Sequence, residues 1–60
     1  MKRLQVLKDD KWLYVFGYSG NNGSIITLPD NRPDLRLRSL GSNDLSFFRN
    51  KYGNHTFRVV

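Results

Sequence analysis

The sequence predicts a small α+β domain in which a three-stranded antiparallel meander is followed by one helix and a C-terminal strand, in the order β-β-β-α-β. Two runs alternate as strands do, at residues 3–8 and 11–18, and a third follows the turn signal Asn22-Gly23. Three residues then recur at helical spacing: Leu45, Phe48 and Tyr52. A chain of 60 residues has material for one core, so we expect residues 1–60 to form a single compact domain.

The first hairpin is predicted by the pair Asp9-Asp10, because aspartate tolerates the turn conformations that a two-residue loop requires. This loop pairs Leu7 with Trp12, Val6 with Leu13, Gln5 with Tyr14, and Leu4 with Val15. Side chains alternate between the two faces of a sheet, so the pairing sorts them into two groups. The aliphatic face holds Leu4, Val6, Leu13 and Val15. The aromatic face holds Arg3, Gln5, Leu7, Trp12, Tyr14 and Phe16, and continued alternation adds Tyr18 to it.

The third strand is placed by a two-residue turn at Asn22-Gly23, the strongest turn signal in the sequence. That turn puts Ile26 and Leu28 on the aliphatic face. Ile25 and Thr27 then join the aromatic face.

Residues 29–34 are predicted to form a loop, since two prolines and three Asp or Asn residues disfavour a continued strand or helix. The alternation of Leu35-Arg36-Leu37-Arg38 is typical of a short edge strand or of an extended loop that drops both leucines onto the core. The sequence leaves these two alternatives open.

The predicted helix begins near Ser42 or Asn43, either of which can act as N-cap, with Asp44 favourable in the first turn. Gly53 stands at the position of a C′ glycine. Residues 54–60 alternate again, with Phe57 and Val59 on one side and Thr56 and Arg58 on the other. They form the predicted last strand.

The formal net charge is +5, and residues 31–60 carry most of it, with six basic and two acidic side chains. Arginine dominates there, and its planar fork suits phosphate or carboxylate groups. We therefore expect an anionic partner, either nucleic acid or an acidic protein surface. Solubility alone is the alternative explanation, because this charge lies within the ordinary range for small domains.

The aromatic face is the most informative feature, since one helix covers one sheet face and the aliphatic face is the natural one to cover. Aromatic rings left exposed among basic groups form a platform for unpaired bases. The sequence thus predicts a nucleic-acid-associated accessory protein whose binding residues are Arg3, Trp12, Tyr14, Phe16, Tyr18, Arg32, Arg36 and Arg38.

Three alternatives remain open for the same face. The first is a small regulator or inhibitor, of the kind that bacteriophages and mobile elements encode, which binds one protein target. The second is a homodimer whose aromatic faces pack together. In the third the rings are core, packed beneath the helix or covered by the segment 29–40.

Catalysis is not expected. His55 is the only histidine, Asp9 and Asp10 are solvated at a hairpin tip, and no nucleophile elbow or P-loop is present. Without cysteine or a histidine pair we expect no metal site and no cofactor. The absence of cysteine and of a long apolar run is typical of a cytoplasmic protein that does not enter the membrane.

Overall fold

The computed structural model describes residues 2–21, 23–29 and 32–60. Four strands, β1 (Leu4–Lys8), β2 (Lys11–Tyr18), β3 (Ile25–Leu28) and β4 (Thr56–Val59), form one antiparallel sheet in the order β3-β2-β1-β4. Between β3 and β4 lie helix α1 (Pro33–Arg38), a 3₁₀ turn (Ser42–Asp44) and helix α2 (Leu45–Lys51). The predicted α+β class and the β-β-β-α-β order are confirmed, with α1 as an additional short helix.

The first hairpin has the predicted loop and three of its four predicted pairs; Leu4 does not pair with Val15, because Leu40 hydrogen-bonds to both. Gln5 pairs with Tyr14, Val6 with Leu13, and Leu7 with Trp12. Asp9 and Asp10 have φ angles of 51° and 64°, as the two central residues of a type I′ turn require. The local turn chemistry therefore decides which side chains of β1 and β2 share a face.

The pairing of β2 with β3 differs from the prediction because β2 contains a β-bulge. The register shifts between Val15, which pairs with Thr27, and Gly17, which pairs with Ile26. One extra residue in β2 reverses the alternation of every residue beyond it. Thr27 consequently lies on the aliphatic face with Ile25, which is 7% exposed in the core.

The assignment of Ile26 and Leu28 to the aliphatic face was therefore wrong. Both lie on the aromatic face and are 48% and 41% exposed. The Ser19 N–H donates to the Ser24 carbonyl at 2.8 Å, so the β2–β3 connection spans residues 20–23. Asn22 of the predicted two-residue turn lies outside the described residues.

Residues 35–38 form neither of the two predicted structures, because they belong to α1. Pro33 occupies the first turn of this helix and Asp34 follows it, while Arg36 and Arg38 lie in the last turn. This order of residues suits the helix macrodipole and the fixed φ of proline. Asp30 and Asn31 of the predicted loop lie outside the described residues.

Helix α2 covers the aliphatic face, as expected, and buries the side of the helix that the spacing of Leu45, Phe48 and Tyr52 predicts. Phe48 is 1% exposed, and Leu45 and Tyr52 pack beside it against the core. The buried cluster consists of Leu4, Val6, Val15, Ile25, Phe48 and Phe57. Neither Ser42 nor Asn43 is the N-cap: they lie within the 3₁₀ turn, whose N-cap is Gly41, and no side chain caps it.

Residues 39–41 pass between β1 and β2 at the end of the sheet away from the Asp9-Asp10 turn. The Leu40 N–H donates to the Val15 carbonyl, and the Leu4 N–H donates to the Leu40 carbonyl, both at 2.8 Å. Arg3 forms an isolated antiparallel bridge with Gly41. The chain thus crosses from α1, which contacts β2 on the aromatic face, to α2 on the aliphatic face.

The last strand alternates as predicted and pairs with β1, placing Phe57 opposite Val6 and Arg58 opposite Gln5. Phe57 is 4% exposed in the core, whereas Arg58 is exposed on the aromatic face. Within the described ranges, no helix has the length and apolar character needed to cross a membrane.

The bulge in β2 can be tested with two glycine variants. Gly17 has a φ of +150°, which residues with a Cβ rarely adopt, although a Cβ there would meet nothing within 4 Å. We expect Gly17→Ala to lower the free energy of unfolding by about 1–3 kcal/mol through backbone strain alone. Chemical denaturation measures this.

Gly20→Ala is the matched control, since a Cβ at Gly20 also meets nothing within 4 Å and its φ is outside the positive range. We expect its free energy of unfolding to change by less than about 1 kcal/mol. Equal effects of the two substitutions would contradict the strained bulge.

Candidate functional site

Helix α1 covers one end of the aromatic face and leaves the other end uncovered. Tyr14 is 5% exposed and lies beside residues of α1, so its ring is not available to stack on a base. The prediction of Tyr14 as an exposed platform residue was wrong. The reason is tertiary: the segment 29–40, considered above as an alternative cover, supplies the helix that lies against this ring.

A cleft of about 400 Å³ opens where α1 meets the sheet. Its lining residues are Arg3, Tyr14, Pro33, Arg36, Leu37 and Val60. Arg3 is half-buried, and its Nη1 donates to the carbonyl of Ser39 at 3.0 Å. The cleft thus brings together two of the predicted arginines, one held against the backbone and one on the exposed side of α1.

Arg32, Arg36 and Arg38 are all exposed at or within α1. Arg32 Nε lies 3.6 Å from Oδ1 of Asp34, but both side chains are about half exposed or more, so this ion pair contributes little to stability. The structure therefore brings Arg3 and Arg36 together at the cleft and leaves Arg32 and Arg38 exposed at the two ends of α1. The side chains of α1 remain available to an anionic ligand.

Trp12 lies at the other end of the aromatic face, where it is half-buried. The guanidinium carbon of Arg58 sits 4.1 Å from the centroid of the indole. The Nε of Arg58 also donates to Oε1 of Gln5 at 2.8 Å, which satisfies an amide that is 1% exposed. A base can stack on this face of Trp12 only if it displaces Arg58.

Arg58 is a residue that the sequence analysis did not assign to the site. Its alternation with Phe57 places it on the polar side of the last strand, but only the pairing of β4 with β1 places it opposite Gln5. Phe16, another predicted platform residue, is half-buried at the bulge.

Tyr18 does not share a face with Trp12, because the bulge rotates it to the α2 side of the sheet. Its ring centroid lies 5.5 Å from that of Phe47 and 6.2 Å from that of Phe48. The Nζ of Lys51 lies 5.1 Å from the centroid of Tyr18. The prediction that Tyr18 belongs to the aromatic face was therefore wrong, although its ring remains 42% exposed.

Phe47 is the second residue that the sequence analysis missed. It is 45% exposed and adjoins the buried Phe48. The spacing of Leu45, Phe48 and Tyr52 accounts for the buried side of α2. Phe47 lies outside this spacing, which is the sequence signal that its ring is exposed.

Burial raises the pKa of the Tyr52 hydroxyl above its ordinary value of 10.0, and the Tyr18 hydroxyl raises it further. The Tyr52 ring stacks on Phe48 with centroids 5.6 Å apart. The single histidine, His55, packs edge-on against Tyr52 at 6.0 Å and lies 6.3 Å from Phe57. His55 thus contributes to aromatic packing at the end of α2.

No cluster of three or more His, Cys, Asp or Glu side chains suited to a metal ion occurs within residues 2–21, 23–29 and 32–60. A comparison with protein-family models, curated proteins and solved structures finds no match to this chain. Its function is therefore inferred from the chemistry of its own surface.

The stacking of Arg58 on Trp12 predicts a fluorescence change in Arg58→Ala. Removing the guanidinium exposes the indole and leaves the Gln5 amide without its partner. We expect a red-shifted emission maximum, stronger acrylamide quenching, and a loss of about 1–3 kcal/mol in the free energy of unfolding.

Arg49→Ala, which truncates an exposed arginine of α2, should change stability by less than about 0.5 kcal/mol. An unchanged emission spectrum in Arg58→Ala would contradict the stacking.

The raised pKa of Tyr52 predicts a loss of stability at alkaline pH. The folded state favours the neutral phenol, so its contribution is complete below about pH 10 and is lost as the pH rises through the higher folded-state pKa. We expect Tyr52→Phe to lose less free energy of unfolding than the wild type above about pH 10. Tyr14→Phe controls for removal of a hydroxyl. Identical alkaline slopes for Tyr52→Phe and wild type would rule out this contribution.

Proposed function

We propose that this protein is a non-enzymatic, nucleic-acid-associated accessory protein whose surface around α1 binds the phosphate backbone. The observation that carries this proposal is the pair of arginines that line the cleft, Arg3 and Arg36, with Arg32 and Arg38 exposed at the two ends of the same helix. Asp34 is the one acidic residue of α1, and it lies beside Arg32. Arginine presents a fork of N–H donors that matches phosphate oxygens.

Binding at this surface depends on phosphates rather than on bases. Tyr14 is buried, and Arg58 occupies a face of Trp12, so the aromatic face offers less stacking area than the sequence suggests. Contacts to phosphates carry no sequence information and weaken steeply with salt. The proposed activity is therefore sequence-tolerant and sensitive to ionic strength.

Arg3 and Arg36 have different parts in this proposal. Arg3 is held by its hydrogen bond to the Ser39 carbonyl, so less side-chain freedom is lost when a phosphate binds beside it. Arg36 and Arg38 are exposed in the last turn of α1 and are free to follow the backbone of a bound strand. Together they provide one fixed and two adaptable contacts.

A protein target is the second candidate, favoured by the apolar groups near the cleft. Leu37 and Val60 line it and are 67% and 43% exposed, and Leu28, opposite Tyr14, is 41% exposed. Arginines beside exposed apolar side chains are common at the centres of protein interfaces. In this case the protein would act as a small regulator or inhibitor.

The phosphate-binding proposal predicts the behaviour of Arg36→Glu/Arg38→Glu. We expect the double variant to bind a fluorescent oligothymidylate at least about tenfold more weakly than wild type at about 50 mM salt. We also expect the slope of log affinity against log salt to fall by about 0.7 for each lost contact. Fluorescence anisotropy across a salt series measures both quantities.

Lys8→Glu/Lys11→Glu is the matched control, because it makes the same change in net charge on paired residues beside the hairpin turn. An equal loss in both double variants would assign binding to net charge rather than to α1. If wild type does not bind at low salt, the proposal fails. The protein-target candidate would then be supported by a protein partner that stays bound to wild type after nuclease treatment but does not bind Leu37→Asp.

A further inference from the structure

A second exposed group lies on the α2 side of the molecule, and we name it the Tyr18–Phe47 patch. It consists of Tyr18, Phe47 and Lys51. The two rings are 5.5 Å apart at their centroids and inclined by 34°, and Lys51 Nζ lies 5.1 Å from the Tyr18 centroid. Residues Tyr18 and Phe47 are 42% and 45% exposed. The patch therefore joins two adjoining aromatic side chains to an ammonium group that lies over the Tyr18 ring.

The core supports this patch from beneath. The rings of both Tyr18 and Phe47 contact Phe48, at centroid distances of 6.2 and 5.3 Å and in edge-on geometry. Phe48 is 1% exposed and belongs to the main hydrophobic cluster. The exposed rings thus have a rigid base, which lowers the entropy lost when a ligand stacks on them.

We propose that an unpaired base of a single-stranded nucleic acid stacks on Phe47, beside Tyr18, with Lys51 contacting a neighbouring phosphate. This inference rests on the proposed function and assigns the base contacts to the α2 side instead of the aromatic face. Charge complementarity supports this occupant, because α2 has the sequence LSFFRNK and carries basic but no acidic side chains. Aromatic rings beside a basic group are the usual platform for unpaired bases.

The patch and the α1 cleft lie on opposite faces of the sheet. Tyr18 is the last residue of β2, three residues after Val15. The Val15 carbonyl accepts a hydrogen bond from Leu40, which follows shortly after α1. Both groups therefore lie toward the end of the sheet away from the hairpin turn.

A second copy of the chain is a poorer occupant for this surface. Two copies would bring like charges together, since each carries a formal net charge of +5 and places Lys51 at the patch. Two half-exposed rings also provide far less area than the about 1,000 Å² that a specific protein interface requires. Single-stranded nucleic acid has neither difficulty.

The experiment compares two fluorescent oligonucleotides of about twelve nucleotides by anisotropy, oligothymidylate and an abasic strand with the same phosphates. We expect wild type to bind oligothymidylate at least about fivefold more tightly, because only that strand can stack. Phe47→Leu keeps an apolar side chain on the Phe48 support but removes the π face. It should lower the affinity for oligothymidylate by about fivefold or more and leave the abasic affinity unchanged.

Ile26→Ala is the matched control, since Ile26 has similar exposure on the opposite face and should change neither affinity. Lys51→Gln should weaken both strands alike and reduce the salt slope by about 0.7. Circular dichroism confirms that each variant is folded before it is titrated.

The possible results separate the two proposals. Equal wild-type affinities for the two strands, or an unchanged oligothymidylate affinity in Phe47→Leu, would overturn the stacking assignment and leave phosphate binding at α1 intact. If neither strand binds wild type at low salt, the proposed function itself fails, and the stacking assignment fails with it.

Discussion

The arrangement of both candidate surfaces depends on two backbone hydrogen bonds made by Leu40. Its N–H donates to Val15 and its carbonyl accepts from Leu4, so the chain is held between β1 and β2 where these strands diverge. Buried backbone N–H and C=O groups require hydrogen-bond partners, and the inserted Leu40 supplies one partner to each of the two strands. The insertion carries the chain from one face of the sheet to the other and gives each face its own short helix.

Two short helices cover a four-stranded sheet incompletely, and the uncovered parts are the candidate surfaces. α1 has six residues and buries Tyr14 and its own Leu35, leaving its arginines exposed around the cleft. α2 has seven residues and buries Phe48 while leaving Phe47 exposed. Exposed aromatic and basic groups thus follow from the small size of the domain, which has more apolar side chains than two short helices can cover.

The two surfaces differ in the contacts they offer. The α1 surface presents two arginines in a cleft with an apolar rim, whereas the Tyr18–Phe47 patch presents adjoining aromatic rings with one ammonium group. Trp12, the largest aromatic side chain, is not part of either surface, because Arg58 lies over its ring and also bonds to Gln5 in a cross-strand network. Such a network stabilises the pairing of β4 with β1 and occupies a ring face that a ligand would otherwise use.

Features that depend on neighbouring residues follow directly from the amino-acid sequence. Asp9 and Asp10 specify the hairpin turn and therefore the register of β1 with β2, and the spacing of Leu45, Phe48 and Tyr52 specifies the buried side of α2. The alternation of the last strand likewise placed Phe57 inward and Arg58 outward. These are short-range effects of backbone geometry and side-chain periodicity.

Long-range packing sets which faces of the sheet the remaining side chains share. A single extra residue at the bulge reversed the orientation of Tyr18, and an isolated glycine at position 17 was its one local signal. Residues 35–38 are helical although their leucine and arginine side chains alternate. Pro33 and Asp34 favour the start of a helix here, and the helix buries Leu35. Arg58 reached Trp12 through the pairing of β4 with β1, two strands from opposite ends of the chain. Such choices depend on the free energy of long-range packing, which local patterns do not contain.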